Sequence, residues 1–331
     1  AQLAALAQQG KQVYVVPGNH DINNGRSMNY SGDTSRRVAT VSPEEFKDIY
    51  SRFGFAQAVA VDPGSLSYIV EPVPGLWLFG LDSCSYRENV DNEEPVTGGA
   101  FYGETLKWIE EMLIKAIREK KAVIGFMHHG VLEHYPANKK YYKDYLLDDF
   151  EVISKMFAAY GMRFVFTGHY HAQDCTGKEW SSAIPHHFLV DTETGSLVTW
   201  PAPVRHITVH NQRMTIQSSS IQKIESHPDD FPAFAEQFVL KGMTGIINAT
   251  LTRYGVPVQD QKLLTPQIAQ AYVTHLKGDE KKPDTYLDFT GVSLRGVLVG
   301  VVQGDLIRGW YTDLPPADNN LSIDILTGAA E

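Results

Sequence analysis

The sequence predicts an α/β protein whose first two thirds alternate strands with helices and whose last third is mainly helical. Short apolar runs alternate with segments of helical periodicity up to about residue 170. Short strands with turns follow, and apolar residues at helical spacing return after residue 218. The length of 331 residues also agrees with two domains. We therefore predict a first domain over residues 1–217 and a second over residues 218–331.

The elements of the first domain have clear sequence signals. Residues 2–9 have helical periodicity, and residues 13–16 (VYVV) predict a short buried strand that ends at Pro17. Ser42, Pro43 and Glu45 are typical of a helix start with a capping box. Further elements are predicted in chain order: a strand at 67–71, a strand at 76–81, a helix at 103–120, a strand at 122–127, a helix at 148–160 and a strand at 163–167.

The second domain has helical signals of its own. Phe231, Phe234 and Phe238 share one helical face. Thr265-Pro266 predicts the start of a further helix, and Gly278 predicts its end.

Charge and composition exclude several classes of protein. The chain carries 39 acidic and 29 basic residues, and no basic segment stands out, so a nucleic-acid partner is not expected. No apolar run approaches the roughly 18 residues of a membrane helix, so we expect no membrane span. Cys84 and Cys175 are either two free thiols or one disulfide, which would indicate an exported protein.

Three polar segments each directly follow a predicted buried strand. They are residues 17–21 (PGNHD), 126–130 (FMHHG) and 167–171 (TGHYH). Because loops at the carboxyl ends of strands build the active sites of open α/β sheets, we expect these segments to converge. Imidazole and amide side chains are metal ligands, so a metal site is predicted at this edge of the sheet.

The histidines of the second and third segments differ in how strongly they indicate a metal site. His169 and His171 point to the same side if the segment is extended, so both either face a metal or lie in solvent. His128 and His129 are adjacent and should face opposite ways, so at most one of them is expected in a given site.

The first segment carries three polar residues in a row. The amide oxygen of Asn19 is a neutral, hard ligand. His20 is suited to stabilising charge or moving protons, and Asp21 to orienting that imidazole. A turn with incidental polar residues would explain one such segment, but three strand-end segments together favour a functional site.

The segments GNHD, MHHG and GHYH resemble motif blocks of the calcineurin-like metallophosphoesterases, in the order of that family. The resemblance implies a four-layer α/β/β/α sandwich of two mixed sheets. It also implies hydrolysis of phosphate esters with two divalent metal ions, namely Mn, Fe or Zn. Residues 199–205 (TWPAPVR) and 313–318 (DLPPAD) resemble the second sheet and the accessory C-terminal domain of bacterial relatives, often exported. This favours an exported or cell-envelope protein.

The resemblance implies a role for individual residues. The implied metal ligands are Asn19, His128 and His169 for one ion and His171 for the other. His20 matches the histidine that contacts the phosphoryl oxygen or the leaving group, and Asp21 matches its orienting partner. His129 has no ligand role in this match. Three loop residues either touch substrate or are ordinary solvated side chains: Arg26, Tyr30 and His134.

Two earlier blocks of the family, an Asp-x-His pair and a Gly-Asp pair, have no counterpart upstream of Asn19. Residues 1–16 contain neither Asp nor His, and Gly32-Asp33 follows the GNHD block as a coincidental turn. We therefore expect an N-terminally truncated chain that lacks the first strands and has reduced or no activity.

Two other functions fit the same fold. The first is a non-catalytic scaffold, although it would have no need of the three motif blocks together. The second is a nuclease, which the acidic charge disfavours. The expected substrate is therefore a phosphorylated small molecule: a monoester, a diester or a nucleotide-sugar pyrophosphate.

Overall fold

The computed structural model describes residues 2–180 and 187–331. The chain forms two compact units, each made of three segments. The first unit comprises Ala1–Leu132, Lys143–His169 and Lys178–Asp191, and the second comprises Glu133–Tyr142, Tyr170–Gly177 and Thr192–Glu331. The boundary at residue 217 comes from the sequence pattern and stays a prediction.

Helices concentrate in the C-terminal third of the chain, as the sequence predicts. In the described part of the chain they are α1 (Gln2–Gln8), α2 (Pro43–Ile49), α3 (Gly103–Arg118), α4 (Asn138–Tyr142), α5 (Phe150–Ala159), α6 (Phe231–Arg253), α7 (Val258–Lys277), α8 (Leu294–Val302) and α9 (Gly304–Gly309). Within this part, no helix combines the length and the apolar composition that a bilayer span requires.

The strands form a central mixed sheet and two smaller sheets. They are β1 (Met28–Asn29), β2 (Arg36–Arg37), β3 (Ala60–Val61), β4 (Tyr68–Val73), β5 (Leu76–Leu81), β6 (Ala122–Met127), β7 (Phe164–Thr167), β8 (Asp174–Trp180), β9 (His187–Glu193), β10 (Pro203–His210), β11 (Arg213–Ser220) and β12 (Asn320–Asp324). The central sheet has the order β3-β4-β5-β6-β7-β9-β8. The α/β fold class predicted from the sequence is confirmed, with a helical C-terminal region.

The core of the first unit explains the order of these elements. β5, β6 and β7 are parallel neighbours, and β4 pairs antiparallel with β5. Ile109 and Leu113 of α3 and Phe157 of α5 are fully buried and belong to the same apolar cluster as Phe79 and Leu81 of β5. The helices therefore bury their apolar faces on the sheet, and the loops at the strand ends are left to carry polar side chains.

The local signals at α2 act as predicted. The backbone N–H of Glu45 donates to the Ser42 hydroxyl at 3.2 Å, and the N–H of Ser42 donates to the Glu45 carboxylate at 2.8 Å. This reciprocal capping box satisfies two N–H groups that the helix itself leaves without a partner.

Two sequence-based predictions about elements are wrong. Residues 13–16 form no regular strand. They are only half-buried, and the Val15 N–H donates to the Phe53 carbonyl and the Tyr68 hydroxyl rather than to a strand ladder. Helix α7 begins at Val258, not at Thr265, so that Pro266 lies inside it. Its end at Gly278 is as predicted, with a φ of +74° there.

Candidate metal centre

The parallel pairing of β6 and β7 brings His128 and His169 together. Phe126 of β6 pairs with Phe166 of β7, so both strands end at the same edge of the sheet. Beyond the strands, the Gly168 N–H donates to the His128 carbonyl at 3.1 Å. The centroids of the His128 and His169 rings are 4.3 Å apart.

Asn19 reaches the same place from the loop between α1 and β1. Its side chain is buried, and Asn19 Oδ1 lies 3.0 Å from His128 Nε2. Gly18 makes this close approach possible, because a Cβ there would lie 3.1 Å from His128 Cε1. The structure thus brings together Asn19, His128 and His169, the three residues that the family resemblance implies as ligands of one metal ion.

His129 also belongs to this cluster, contrary to the sequence-based expectation that it points elsewhere. Its ring centroid lies 5.0 Å from that of His128 and 4.7 Å from that of His169. The expectation fails because the chain leaves the extended conformation after Met127, so the alternation of a strand no longer applies. One ligand nitrogen from each of the three histidines lies within 4.8 Å of the others.

Both ring nitrogens of His129 have protein partners. Nδ1 lies 2.8 Å from the Ser83 hydroxyl, and Nε2 lies 3.0 Å from the Thr97 carbonyl. A carbonyl oxygen only accepts, so Nε2 carries the proton and Nδ1 accepts from Ser83. Burial lowers the pKa of His129 to about 4, and the imidazole is therefore neutral at pH 7. These contacts make His129 a residue that holds the cluster in place.

Two further residues contact the histidines, and a third connects the segments that carry them; none of the three was predicted from the sequence. The Thr97 carbonyl lies 3.0 Å from His169 Nε2, and the Tyr145 ring stacks on the His169 ring at 4.5 Å. The Asp191 carboxylate accepts from the Val131 N–H at 2.6 Å and from the Thr167 hydroxyl at 2.6 Å. Asp191 therefore fastens the loop after β6 to the end of β7. Its position at the end of a buried apolar run (FLVD) was the available signal.

His169 and His171 do not lie in an extended segment. Both have positive φ angles, +75° at His169 and +71° at His171, which corrects the argument from strand alternation. Residues other than glycine rarely adopt this left-handed conformation, and where they do it is often at a functional site. His171 belongs to the second unit, where its Nδ1 lies 3.1 Å from the Thr199 hydroxyl.

His20 and Asp21 lie on the exposed side of the first loop. The Asp21 carboxylate accepts from the Gly18 N–H at 2.7 Å and so closes the turn that presents Asn19. Its role as the partner that orients His20 stays a prediction.

The three loop residues considered from the sequence have different surroundings. Arg26 forms an exposed ion pair with Glu94 at 2.6 Å, and Tyr30 is exposed. His134 is not a solvated loop residue but is buried in the second unit against Asp174, at 2.8 Å.

The chemistry of the donor set fits a divalent metal ion. Imidazole nitrogens with an amide oxygen suit Zn²⁺, Mn²⁺ and Fe²⁺. The residues that would hold such an ion are Asn19, His128 and His169, whose donor atoms already converge at the edge of the sheet.

Comparison with known proteins identifies the family. The family model of the calcineurin-like phosphoesterases matches residues 1–173. The chain belongs to the calcineurin-like phosphoesterase family. The resemblance seen in the three motif blocks is thereby confirmed, and metal-dependent hydrolysis of phosphoesters in general follows from membership of this family.

Among solved structures, this phosphoesterase is similar to a dimetal phosphatase from Danio rerio. The two share 15% sequence identity, the similarity covers 66% of this chain and 72% of that chain, and the TM-score is 0.44. Comparison with curated proteins gave no match.

Proposed function

We propose that this protein hydrolyses phosphate esters of small molecules, monoesters or diesters, at the site built around Asn19, His128 and His169. The observation that supports the proposal is the convergence of their donor atoms, with Asn19 Oδ1 3.0 Å from His128 Nε2. These residues would hold one Mn, Fe or Zn ion, and His171 would serve a second. Bound metal ions would lower the pKa of a water molecule and offset charge on the phosphoryl group.

His20 and Asp21 would have further roles at this site. His20 follows Asn19 and faces solvent, where it can contact a substrate. A protonated imidazole there would stabilise negative charge on a phosphoryl oxygen or give a proton to the leaving oxygen. Asp21 would keep the loop in the turn that presents both neighbours, through its bond to the Gly18 N–H.

The activity of this chain is expected to be reduced. Its matched motifs supply Asn19, His128 and His169 for one metal ion but only His171 for the other. Fewer ligands bind an ion more weakly, and a mechanism that needs two ions slows accordingly. We expect turnover of p-nitrophenyl phosphate and its bis-ester well below the ~1 s⁻¹ at which typical enzymes begin.

Binding of the product tests the proposal independently of turnover. Inorganic phosphate should raise the melting temperature of the chain only in the presence of Mn²⁺. His128→Ala should abolish this effect, whereas His206→Ala, at an exposed position on β10, should leave it unchanged. If the unaltered chain binds neither manganese nor phosphate, this result would contradict the proposed enzymatic function and favour a non-catalytic scaffold. Turnover above about 1 s⁻¹ would contradict the reduced activity.

A further inference from the structure

A second group of metal-binding side chains lies inside the second unit. Asp174 is at the start of β8, His275 is near the end of α7, and Glu280 is in the loop after α7. Their side chains are only 1–2% exposed. One ligand atom from each residue lies within 4.8 Å of the others. None of the three belongs to the centre formed by Asn19, His128 and His169.

Hydrogen bonds already bring the ligand atoms of this group close together. His275 Nδ1 lies 2.6 Å from Glu280 Oε1 and 3.9 Å from Asp174 Oδ2. The second oxygen of Asp174, Oδ1, lies 2.8 Å from His134 Nδ1, which fixes the orientation of the carboxylate. Carboxylates that bind metals are commonly held in this way by a further hydrogen bond.

Glu280 has a buried carboxylate oxygen, Oε2, to which no amide, hydroxyl or basic group of the described residues donates. The Asp318 carboxyl lies close to the Glu280 side chain. An unsatisfied buried oxygen of a charged group is costly, and such a group calls for an explanation such as an ion.

The charge around this group also favours a cation. Two more buried acids, Glu193 and Asp318, belong to the same unit. Arg205 is nearby, but its guanidinium donates to the backbone carbonyls of Asp174 at 3.1 Å and Glu193 at 2.7 Å. A divalent cation bound here would offset the negative charge of these buried carboxylates.

We propose that Asp174, His275 and Glu280 bind one divalent transition-metal ion, of which Zn²⁺ is the best fit, as a structural site of the second unit. An imidazole with two carboxylates is a ligand set for zinc, whereas Ca²⁺ and Mg²⁺ prefer oxygen alone. The ion would join the start of β8 to the end of α7 and its following loop.

A neighbouring acidic group provides a contrast. Asp279, Asp313 and Asp318 also lie within 4.8 Å of one another. Asp318 Oδ1 accepts from the Cys175 N–H at 2.7 Å, and Asp279 Oδ1 accepts from the Asp318 N–H at 3.0 Å. Because these oxygens already serve the backbone, the group carries no site of its own. Asp313 then offers a matched control, a nearby acid outside the proposed ligand set.

Zinc content tests the site directly. The chain with His128→Ala and His169→Ala, which lacks the centre of the first unit, is produced in zinc-supplemented medium and its metal measured by mass spectrometry. We expect roughly one zinc ion per chain, removed only slowly by EDTA because the site is buried. Adding Glu280→Gln should lower the content at least tenfold, and adding Asp313→Asn should leave it unchanged.

The melting temperature separates loss of the ligand from loss of the fold. Glu280→Gln keeps the size and hydrogen-bonding capacity of the side chain, so its metal-free melting temperature should equal or exceed that of the parent. Zinc should raise the melting temperature of the parent and of Asp313→Asn, but not of Glu280→Gln. No bound zinc in the parent, or equal zinc in Glu280→Gln, would overturn the site. Either result leaves the proposed phosphoesterase function untouched, since the parent already lacks that centre.

Discussion

Two glycines leave the space that the histidine rings of the first unit occupy. A Cβ at Gly99 would lie 2.3 Å from His129 Nδ1 and 2.3 Å from the Ser83 carbonyl oxygen. A Cβ at Gly18 would be less severe, at 3.1 Å from His128 Cε1. Real Cβ atoms do not approach other atoms to 2.3 Å, so a side chain at residue 99 forces the backbone or the imidazole to move.

Gly99→Ala should therefore destabilise the first unit by about 1–3 kcal/mol, the usual cost of overpacking a well-packed interior. Urea denaturation followed by fluorescence measures the change. Gly98→Ala is the matched control, because its Cβ would meet only Asp144, at 3.9 Å or more, and should change the free energy of unfolding little. Equal effects of the two substitutions would contradict the close packing of Gly99 against the His129 ring.

The sequence predicted that His128 and His169 meet, because parallel strands end at one edge of the sheet. The strand-end argument does not account for Asn19, which also lies at this edge, because residues 13–16 before it form no regular strand. The sequence did not reveal the approach of His129, which depends on where the chain leaves the strand. It also did not reveal Thr97, whose backbone carbonyl is the contacting group and has no side-chain signature.

Among the elements, the β4–β5 hairpin is stabilised by the carboxylate of Glu71. Glu71 accepts from the Gly75 N–H at 2.7 Å, from Trp77 Nε1 at 3.1 Å and from Lys121 Nζ at 2.7 Å. The bond to Lys121 links the hairpin to the start of β6. Hydrogen bonds from Lys121, Gly75 and Trp77 lower the pKa of Glu71 to about 2.

A lowered pKa predicts the direction of a pH effect. The ionised Glu71 stabilises the fold above its unfolded pKa, and this contribution is lost as the pH falls from about 4.5 to about 2. Glu71→Gln should therefore lower the melting temperature at pH 6 and show a smaller further decrease between pH 4.5 and pH 2.5. Glu111→Gln, which removes an exposed pair with Lys107 at 3.8 Å, should follow the unaltered chain. Parallel curves for Glu71→Gln and the unaltered chain would refute this role.

Elements whose apolar residues form a clear pattern were predictable from the sequence. The predictions for β5 and β6 agree with the observed bounds, since a short buried run between turns leaves little choice. Helix α7 shows the limit of local signals. Thr265-Pro266 is typical of a helix start, but Leu264 is fully buried in an apolar cluster with Ala269 and Ile247. Tertiary packing thus outweighs the local signal, and the helix begins earlier.

For the whole molecule, the sequence left open whether Cys84 and Cys175 are free thiols or form a disulfide. In the structure both are free thiols, and both are buried, one in each unit. Cys84 Sγ lies 3.3 Å from the Pro17 carbonyl, and Cys175 Sγ lies 3.6 Å from the Thr192 hydroxyl. Burial raises the pKa of both thiols, that of Cys175 to about 12, so the reactive thiolate is scarce at pH 8.

The thiols should therefore react with Ellman's reagent only after unfolding. We expect two thiols per chain in 6 M guanidinium chloride and at least tenfold slower reaction in native buffer at pH 8. Cys175→Ala should lower the count in denaturant to one. No reactive thiol in denaturant without reductant would show a disulfide and contradict the structure.

The pairing of β11 with β12 has a consequence for shortened versions of the protein. Ile216 pairs with Leu321, and Met214 pairs with Ile323, across more than a hundred residues of chain. A gene ending at codon 217 would remove β12 and the last three residues of β11, and would leave the edge of the remaining β11 open. Open edges recruit strands from other molecules, so such a product is expected to aggregate although every residue of the three phosphoesterase motifs is still present.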